Sequence, residues 1–347
     1  MNNKVAICIV NWNGFQFLEN CLTAVYAQTY KNFDVYFVDN GSTDGSITFV
    51  KDYFPQVKIF QLSKNTGFSY ANNVAIHAAF KDGDVRYVLT LNNDTKMDKD
   101  CISYLVKAIE ENPKIASVTP KIKYFDNDQM IDSIGMLVSR DGGGISRGYK
   151  EEDNGQYDAP VEIFGASACS ALYRREALED IQYRDEFFDN SFFAYYEDLD
   201  LAWRLRLRGW VAWSCPQAVV LHVHSGTSIS YSPFKAYHVN RNRFFLIIKD
   251  FPTRDMIYAL LSTPYRYMKL LNSMLLKKSG PSHLLRKKTS FFMPFFVVIK
   301  GWLSFIFHLP FLLIKRYTIQ SHKKASTADT QGWFDKYAAP MNDMIYK

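Results

Sequence analysis

Four short stretches of this 347-residue chain carry side chains that could do chemistry. LTLNNDT (Leu89–Thr95) is an apolar run ending in Asn92, Asn93 and Asp94, which gathers oxygen ligands at one place. Hard cations such as Mg²⁺ and Mn²⁺ choose such oxygens and often bridge to phosphates, with Asp94 the principal ligand and the asparagines assisting. VDNGSTDGS (Val38–Ser46) places Asp39 at a strand end before a Gly/Ser turn, where a carboxylate can accept hydrogen bonds from a base or ribose. Its competing reading is a plain turn, with Asp44 as N-cap of the next helix. EDLD (Glu197–Asp200) crowds carboxylates at a helix start. They either complement the helix dipole or supply a general base that deprotonates a hydroxyl. His222 and His224 end an apolar run on one face of a strand, so either could reach a cleft there.

These residues need elements to position them. VAICIV (Val5–Val10) reads as a strand buried on both faces, followed by a helix from Phe15 to about Gln28. VYFVD (35–39), KIFQL (58–62) and YVLTL (87–91) repeat the strand signal, separated by helical patterns after Asp44 and from Phe68 to about Phe80. That alternation predicts right-handed βαβ units and a largely parallel sheet, whose ligands sit beyond the carboxyl ends of the strands. Asp39, Asn65, Asn92, Asn93 and Asp94 all fall at or just past those ends. Residues 121–162 are less regular, with DGGG (141–144) as a turn. Residues 164–178 read as a strand entering a helix, and 197–209 as a helix stopped by Gly209.

The matching stretches, taken in order, resemble family 2 of the inverting glycosyltransferases with the GT-A fold, and within it the rhamnosyltransferase-like branch. They are VAICIVNWNG, VYFVDNGSTDGS, KNTGFSYANNVAI, YVLTLNNDT, FGASACSALYRREAL, FFAYYEDLDLAWRLRLRGW, VVLHVHSGTS and VNRNRFFLIIKDFP, spread over residues 4–252. The resemblance implies an α/β fold, a GT-A type Rossmann-like mostly parallel sheet flanked by helices. It implies that Asp39 contacts base or ribose above the Asn11–Gly14 turn, and that Asn65, Gly67 and Asn73 shape the nucleotide pocket. Asn92-Asn93-Asp94 stands where the family carries a DxD motif, so Asn93 faces the donor and Asp94 holds Mg²⁺ or Mn²⁺ on the diphosphate. Asp198, beside Glu197, becomes the base, His222 or His224 completes the metal or diphosphate contacts, and Arg241 and Arg243 lie near the phosphates. Asn92 departs from the family pattern, lowering the site's negative charge. The implied reaction is a single displacement from a dTDP- or UDP-sugar onto a hydroxyl, with inversion and no enzyme nucleophile.

Composition divides the chain in two. Residues 235–347 hold 19 Lys/Arg against 5 Asp/Glu, whereas residues 1–234 hold 22 against 30. With about 150 residues per domain, two domains are expected: a catalytic domain over 1–235 and a basic, aromatic-rich helical region over 236–347. Within the latter, residues 291–314 are long enough to cross a bilayer. Lys300, His308, Pro294 and Pro310 count against a span, a central Lys alone costing about 2.5–3.5 kcal/mol. Helices lying on an anionic membrane surface, held by Lys277, Lys278, Arg286, Lys287 and Lys288, fit the pattern better than a buried helical pair. The long apolar runs between the basic residues argue against nucleic acid.

The N-terminal segment lacks the layout of a secretory leader, and the five scattered cysteines show no metal or disulfide spacing. Buried thiols and a place on the cytoplasmic face of the membrane, near a lipid-linked glycan acceptor, are therefore expected. Two rivals remain: a non-catalytic nucleotide-sugar or glycan-binding module, and a nucleotidyltransferase, for which NWNGF is a poor phosphate loop.

Overall fold

The computed structural model describes residues 3–223, 232–277 and 280–340. His224 lies outside the described residues. Chain contacts gather into two compact units. The first takes in residues 3–136, 146–193 and 210–223, and the second 137–145, 194–209 and the described residues from 232 onward. The division is therefore not one cut near residue 235, because two inner segments join the second unit.

The first half of unit one follows the expected alternation. β1 (Lys4–Asn11), α1 (Phe15–Tyr26), β2 (Phe33–Asp39), α2 (Ser46–Tyr53), β3 (Lys58–Gln61), α3 (Phe68–Lys81) and β4 (Val85–Asn92) succeed one another. β1 pairs in parallel with β2 and β4, and β2 with β3. β5 (Thr95–Met97), α4 (Cys101–Glu110), β6 (Ile115–Tyr124) and β7 (Met130–Ser133) come next. The irregular stretch then holds four short strands: β8 (Met136–Val138), β9 (Gly144–Ser146), β10 (Glu151–Glu152) and β11 (Glu162–Ile163). β12 (Ser170–Arg174) inserts antiparallel between β4 and β6 and enters α5 (Arg175–Ile181). After α6 (Glu197–Leu207), β13 (Val211–His222) runs parallel to β6. The main sheet is ordered β10-β7-β6-β12-β4-β1-β2-β3.

β1 is continuous in apolar residues because both its faces are covered. Leu18, Leu22 and Val25 of α1 and Ile102, Leu105 and Ile109 of α4 pack with Ile7, Ile9, Phe37 and Leu89 in one core. The five cysteines are unpaired; Cys169 is half-buried and the other four are buried. Asp44 is expected to be the N-cap of α2, but Gly45 holds that position, one residue nearer the helix. Asp44 accepts from Ser46 N (3.1 Å) and also from Phe15 N (2.9 Å), tying the start of α1 to the start of α2.

In unit two, α6 is followed by α7 (Pro233–Asp250), α8 (Thr253–Asn272), α9 (Gly280–Lys288), α10 (Met293–Ser321) and α11 (Thr327–Lys336). α6 is buried on almost every face, which its composition alone does not demand. Trp203 meets the rings of Phe251, Trp333 and Phe334. Asp200 pairs with Lys249 Nζ at 2.5 Å and with Arg204 Nε at 2.8 Å in a buried network. α10 runs along α7: Phe305 stacks on Phe244 at 5.0 Å, and Arg316 donates to the carbonyls of Ile248 and Phe251 at 2.7 Å.

Candidate active site

The carboxyl ends of β1, β2 and β4 lie side by side in the sheet, and their polar residues bond to one another. Asn93 Nδ2 donates to Asn11 Oδ1 at 2.7 Å. Asn11 Nδ2 donates in turn to Asp39 Oδ1 (3.3 Å) and Ser42 Oγ (3.1 Å), and Ser42 N donates to Asp39 Oδ2 (3.0 Å). Asn11, Asp39 and Asn93 are all buried. Gly14 closes this corner, since a β-carbon there would collide with the Asn93 and Asn11 side chains. The sequence reading treats Asn11 and Asn93 as ligand contacts. The structure uses them to lock three strand ends together, leaving Asp39 with unused lone pairs at the end of the chain.

A second cluster shapes the neighbouring rim. Asn65 Oδ1 accepts from Asn40 Nδ2 (3.1 Å) and Gly67 N (2.9 Å), while Asn40 Oδ1 accepts from Thr66 N (2.8 Å). Gly67 has φ of +89°, and a β-carbon there would sit 2.5 Å from the Phe193 carbonyl oxygen, so only glycine fits. Asn73 is expected to shape the nucleotide pocket. Its Nδ2 donates to Phe188 O (2.6 Å) and Asn190 Oδ1 (2.9 Å), and its Oδ1 accepts from Phe187 N (3.1 Å) and Phe188 N (2.9 Å). Through these bonds Asn73 holds the segment 187–190.

Asp94 and His222 lie side by side. β13 pairs antiparallel with β5, setting His222 opposite Thr95, and Val223 N donates to Asp94 O at 3.0 Å. His222 Nε2 lies 3.3 Å from Asp94 Oδ1, and its Nδ1 lies 2.7 Å from Asp132 Oδ2 on β7. Burial disfavours a charge on this ring, but Cys169, Asp132 and Asp94 together hold its pKa well above the ordinary histidine value. Asp132 went unremarked in the sequence. Its one signal was an isolated carboxylate in an otherwise apolar run, MIDSIGM.

In unit two, Tyr195 and Tyr196 both adopt positive φ (67° and 73°), and Tyr196 is the N-cap of α6. Non-glycine residues held there cost about 1–3 kcal/mol each and persist only where surroundings over-determine them. Asn242 of α7 supplies part of that restraint, donating to the carbonyls of Ala194 (2.9 Å) and Tyr195 (2.6 Å). Glu197 is buried, and its Oε2 has no hydrogen-bond partner among the described residues. Burial first, and Asp198 and Asp200 after it, push the Glu197 carboxyl well above the usual range. Asp198 is only half-buried, and its Oδ1 accepts from Leu199 N at 2.8 Å.

The Arg-Asn-Arg element, expected near the phosphates, lies on α7. Arg241 and Arg243 are both buried. Arg241 Nε donates to Asn242 Oδ1 (2.8 Å), and Arg243 donates to Asp141 O (2.7 Å) and Thr263 Oγ1 (3.1 Å). Burial raises the Asp141 carboxyl, but Arg266 and Arg243 more than offset it, bringing it down to about 2. Arg243 ties α7 to Asp141 and to α8, and the asparagine between the two arginines, passed over in the sequence, bonds to the segment before α6.

Comparison with known proteins supplies the remaining observation. The family model described as "Glycosyl transferase family 2" matches residues 6–182, about half of the chain and the part that carries the strand ends. The chain belongs to glycosyl transferase family 2. Over 270 residues it is 25% identical to N-acetylglucosaminyl-diphospho-decaprenol L-rhamnosyltransferase of Mycobacterium tuberculosis, covering 72% of this chain and 85% of that one. Over 207 residues it is 24% identical to poly-beta-1,6-N-acetyl-D-glucosamine synthase of Staphylococcus epidermidis, covering 58% and 46%. Among solved structures it superposes on GalNAc-T7, crystallised with UDP, GalNAc and Mn²⁺, with a TM-score of 0.52 at 13% identity, over 70% of this chain and 51% of that one. On S. aureus TarS the TM-score is 0.50 at 18% identity, over 79% and 46%. The chain thus spans about half of each structural neighbour, and the likeness establishes the GT-A fold.

Does this glycosyltransferase have residues that fit a divalent cation? Asp94 Oδ1 and His222 Nε2 form a pair of donors with hard and borderline character. Among the described residues no group of three or more His, Cys, Asp or Glu is arranged to enclose a metal. Two protein donors suit Mg²⁺ or Mn²⁺, which keep waters and complete their shell with substrate phosphates. Asp132 then occupies the outer position, fixing the tautomer and plane of the His222 ring. Asp132→Asn is expected to weaken Mn²⁺ binding about 10–100-fold with little change in melting temperature. Titrating Mn²⁺ by electron paramagnetic resonance in the presence of nucleoside diphosphate tests this, and an unchanged affinity would remove Asp132 from the site.

Proposed function

We propose that this glycosyltransferase moves a sugar from a nucleotide sugar to a hydroxyl of a growing, lipid-linked cell-surface polysaccharide, with inversion at the anomeric carbon. L-Rhamnose from dTDP-L-rhamnose is the donor favoured, with a UDP-sugar as the alternative. The juxtaposition of Asp94 with a carboxylate-oriented His222 at the end of the sheet carries this reading. The similarity to a mycobacterial enzyme named for rhamnosyl transfer to a decaprenol-linked N-acetylglucosamine supports the choice of sugar and of a lipid-linked acceptor.

In this reading Asp39, Asn65 and Gly67 shape the nucleotide pocket, and Asp94 and His222 would hold Mg²⁺ or Mn²⁺. When bound, such a cation neutralises charge growing on the departing nucleoside diphosphate. Asp198 takes the proton of the acceptor hydroxyl as that oxygen bonds to the anomeric carbon. The bond from that carbon to the diphosphate breaks on the opposite face, and the nucleoside diphosphate leaves with the electron pair. Burial disfavours the charged form of Glu197, and this reading gives the task of base to its less buried neighbour. The basic helical region places the reaction on the cytoplasmic face of the membrane, where the acceptor is presented.

Thermal melts with dTDP, UDP and GDP, each with and without Mn²⁺, test the donor. A ligand at 100 times its dissociation constant adds about 2.7 kcal/mol. Stabilisation by dTDP that needs Mn²⁺ is expected. Stabilisation by UDP alone would reassign the donor, and no response to any nucleotide would favour a glycan-binding module.

A further inference from the structure

The outer helices of unit two present an apolar surface that no described residue covers. α10 seats one stripe, Val297, Gly301, Phe305 and Leu312, against the protein. Around the rest of its circumference Phe292, Phe296, Leu303, Phe307 and Tyr317 are between 60% and 82% exposed. α8 repeats the pattern, burying Ala259, Thr263 and Arg266 while Leu261 and Met268 are exposed at 77% and 59%. Contiguous exposed apolar surface on this scale marks an interaction site.

The charge of the same segment says what covers it. Between residues 251 and 324 there are thirteen Lys/Arg and one acidic residue, Asp255, which is buried. Lys287, Lys288, Lys300, Lys323 and Lys324 stand exposed along and beyond the apolar helices. Large side chains rimmed by cations match an anionic lipid surface: acyl chains take the rings and headgroups take the lysines.

α10 is 29 residues long and apolar enough to cross a bilayer. Its packing argues for a different placement. From Gly301 to Gln320 it is bonded along α7, whose buried Arg241, Arg243, Lys249 and Asp250 would have to enter the hydrocarbon with it. We propose that α8 and α10 form a docking surface that lies in the plane of an anionic membrane, with Leu303 and Phe307 dipping below the headgroups. The proposal rests on the membrane-borne acceptor suggested above and specifies how the enzyme meets it.

The full chain, mixed with vesicles of phosphatidylcholine with or without phosphatidylglycerol, should float with the anionic vesicles and detach as salt is raised. The pair Leu303→Glu and Phe307→Glu should weaken flotation by more than about tenfold, and Lys287→Glu with Lys288→Glu by roughly tenfold. Circular dichroism and melting confirm that the variants fold, and transfer to a soluble acceptor analogue should be unchanged in both. Equal binding to neutral vesicles, or variants that float like wild type, would overturn the proposal. So would resistance of the wild type to an alkaline carbonate wash, which indicates a span. Flotation without any sugar transfer would instead sink the transferase reading and leave the docking surface standing.

Discussion

Asp198→Asn should bind nucleotide as the wild type does and transfer sugar about 10²–10⁴-fold more slowly, the usual contribution of a general base. The substitution removes the proton acceptor while keeping the shape of the side chain. Asp198 is half-buried at the first turn of α6, where its Oδ1 accepts from Leu199 N. Its neighbour Glu197 is the poorer candidate, because burial raises its carboxyl well above the usual range and disfavours the charged form. Glu197→Gln should therefore cost less. Single-turnover transfer and nucleotide calorimetry separate the two variants. Wild-type turnover in Asp198→Asn would transfer the role to a water or to another carboxylate.

Asp94→Asn should abolish the part of nucleotide binding that depends on Mn²⁺ and lower transfer by about 10²-fold or more, because several kcal/mol of charge stabilisation leave with the ligand. The expected order is Asp94→Asn worse than Asp132→Asn, since one removes a donor and the other only loosens His222. Comparing Mn²⁺ titrations of the two variants checks the order. If Asp94→Asn kept a wild-type Mn²⁺ response, the cation would have to be held elsewhere. Asn92 already makes this site less negative than a two-carboxylate motif, so a single remaining carboxylate carries more of the load.

Much of this was legible in the chain itself. The apolar runs 5–10, 35–39 and 87–91 specify strands because nothing else buries so continuous a surface, and Asp39, Asp94 and His222 are visible as polar residues where such runs stop. Asp132 was not, because it sits on a four-residue strand and meets His222 only through the pairing of distant strands, 90 positions away in sequence. The bonds of Asn73 were hidden for a related reason, since its partners lie 114–117 residues further on. The charge change near residue 235 is real, but the compact units are decided by packing, and α6, although five of its eleven residues are charged, is buried by the helices beyond it.

The order of synthesis matters for α6. The ribosome releases residues 197–207 before α7, α10 and α11 exist, so Trp203 and the other buried side chains of α6 wait without cover until Phe251, Trp333 and Phe334 have been made. Asp200 waits likewise for Lys249, and a buried pair that loses one partner is destabilised by about 3–5 kcal/mol. The helix that bears the proposed base is thus finished only by the last tenth of the chain. A nonsense mutation or nick near residue 325 would leave Trp203 without the rings of Trp333 and Phe334 in an otherwise folded enzyme, a substrate for aggregation and quality-control proteolysis.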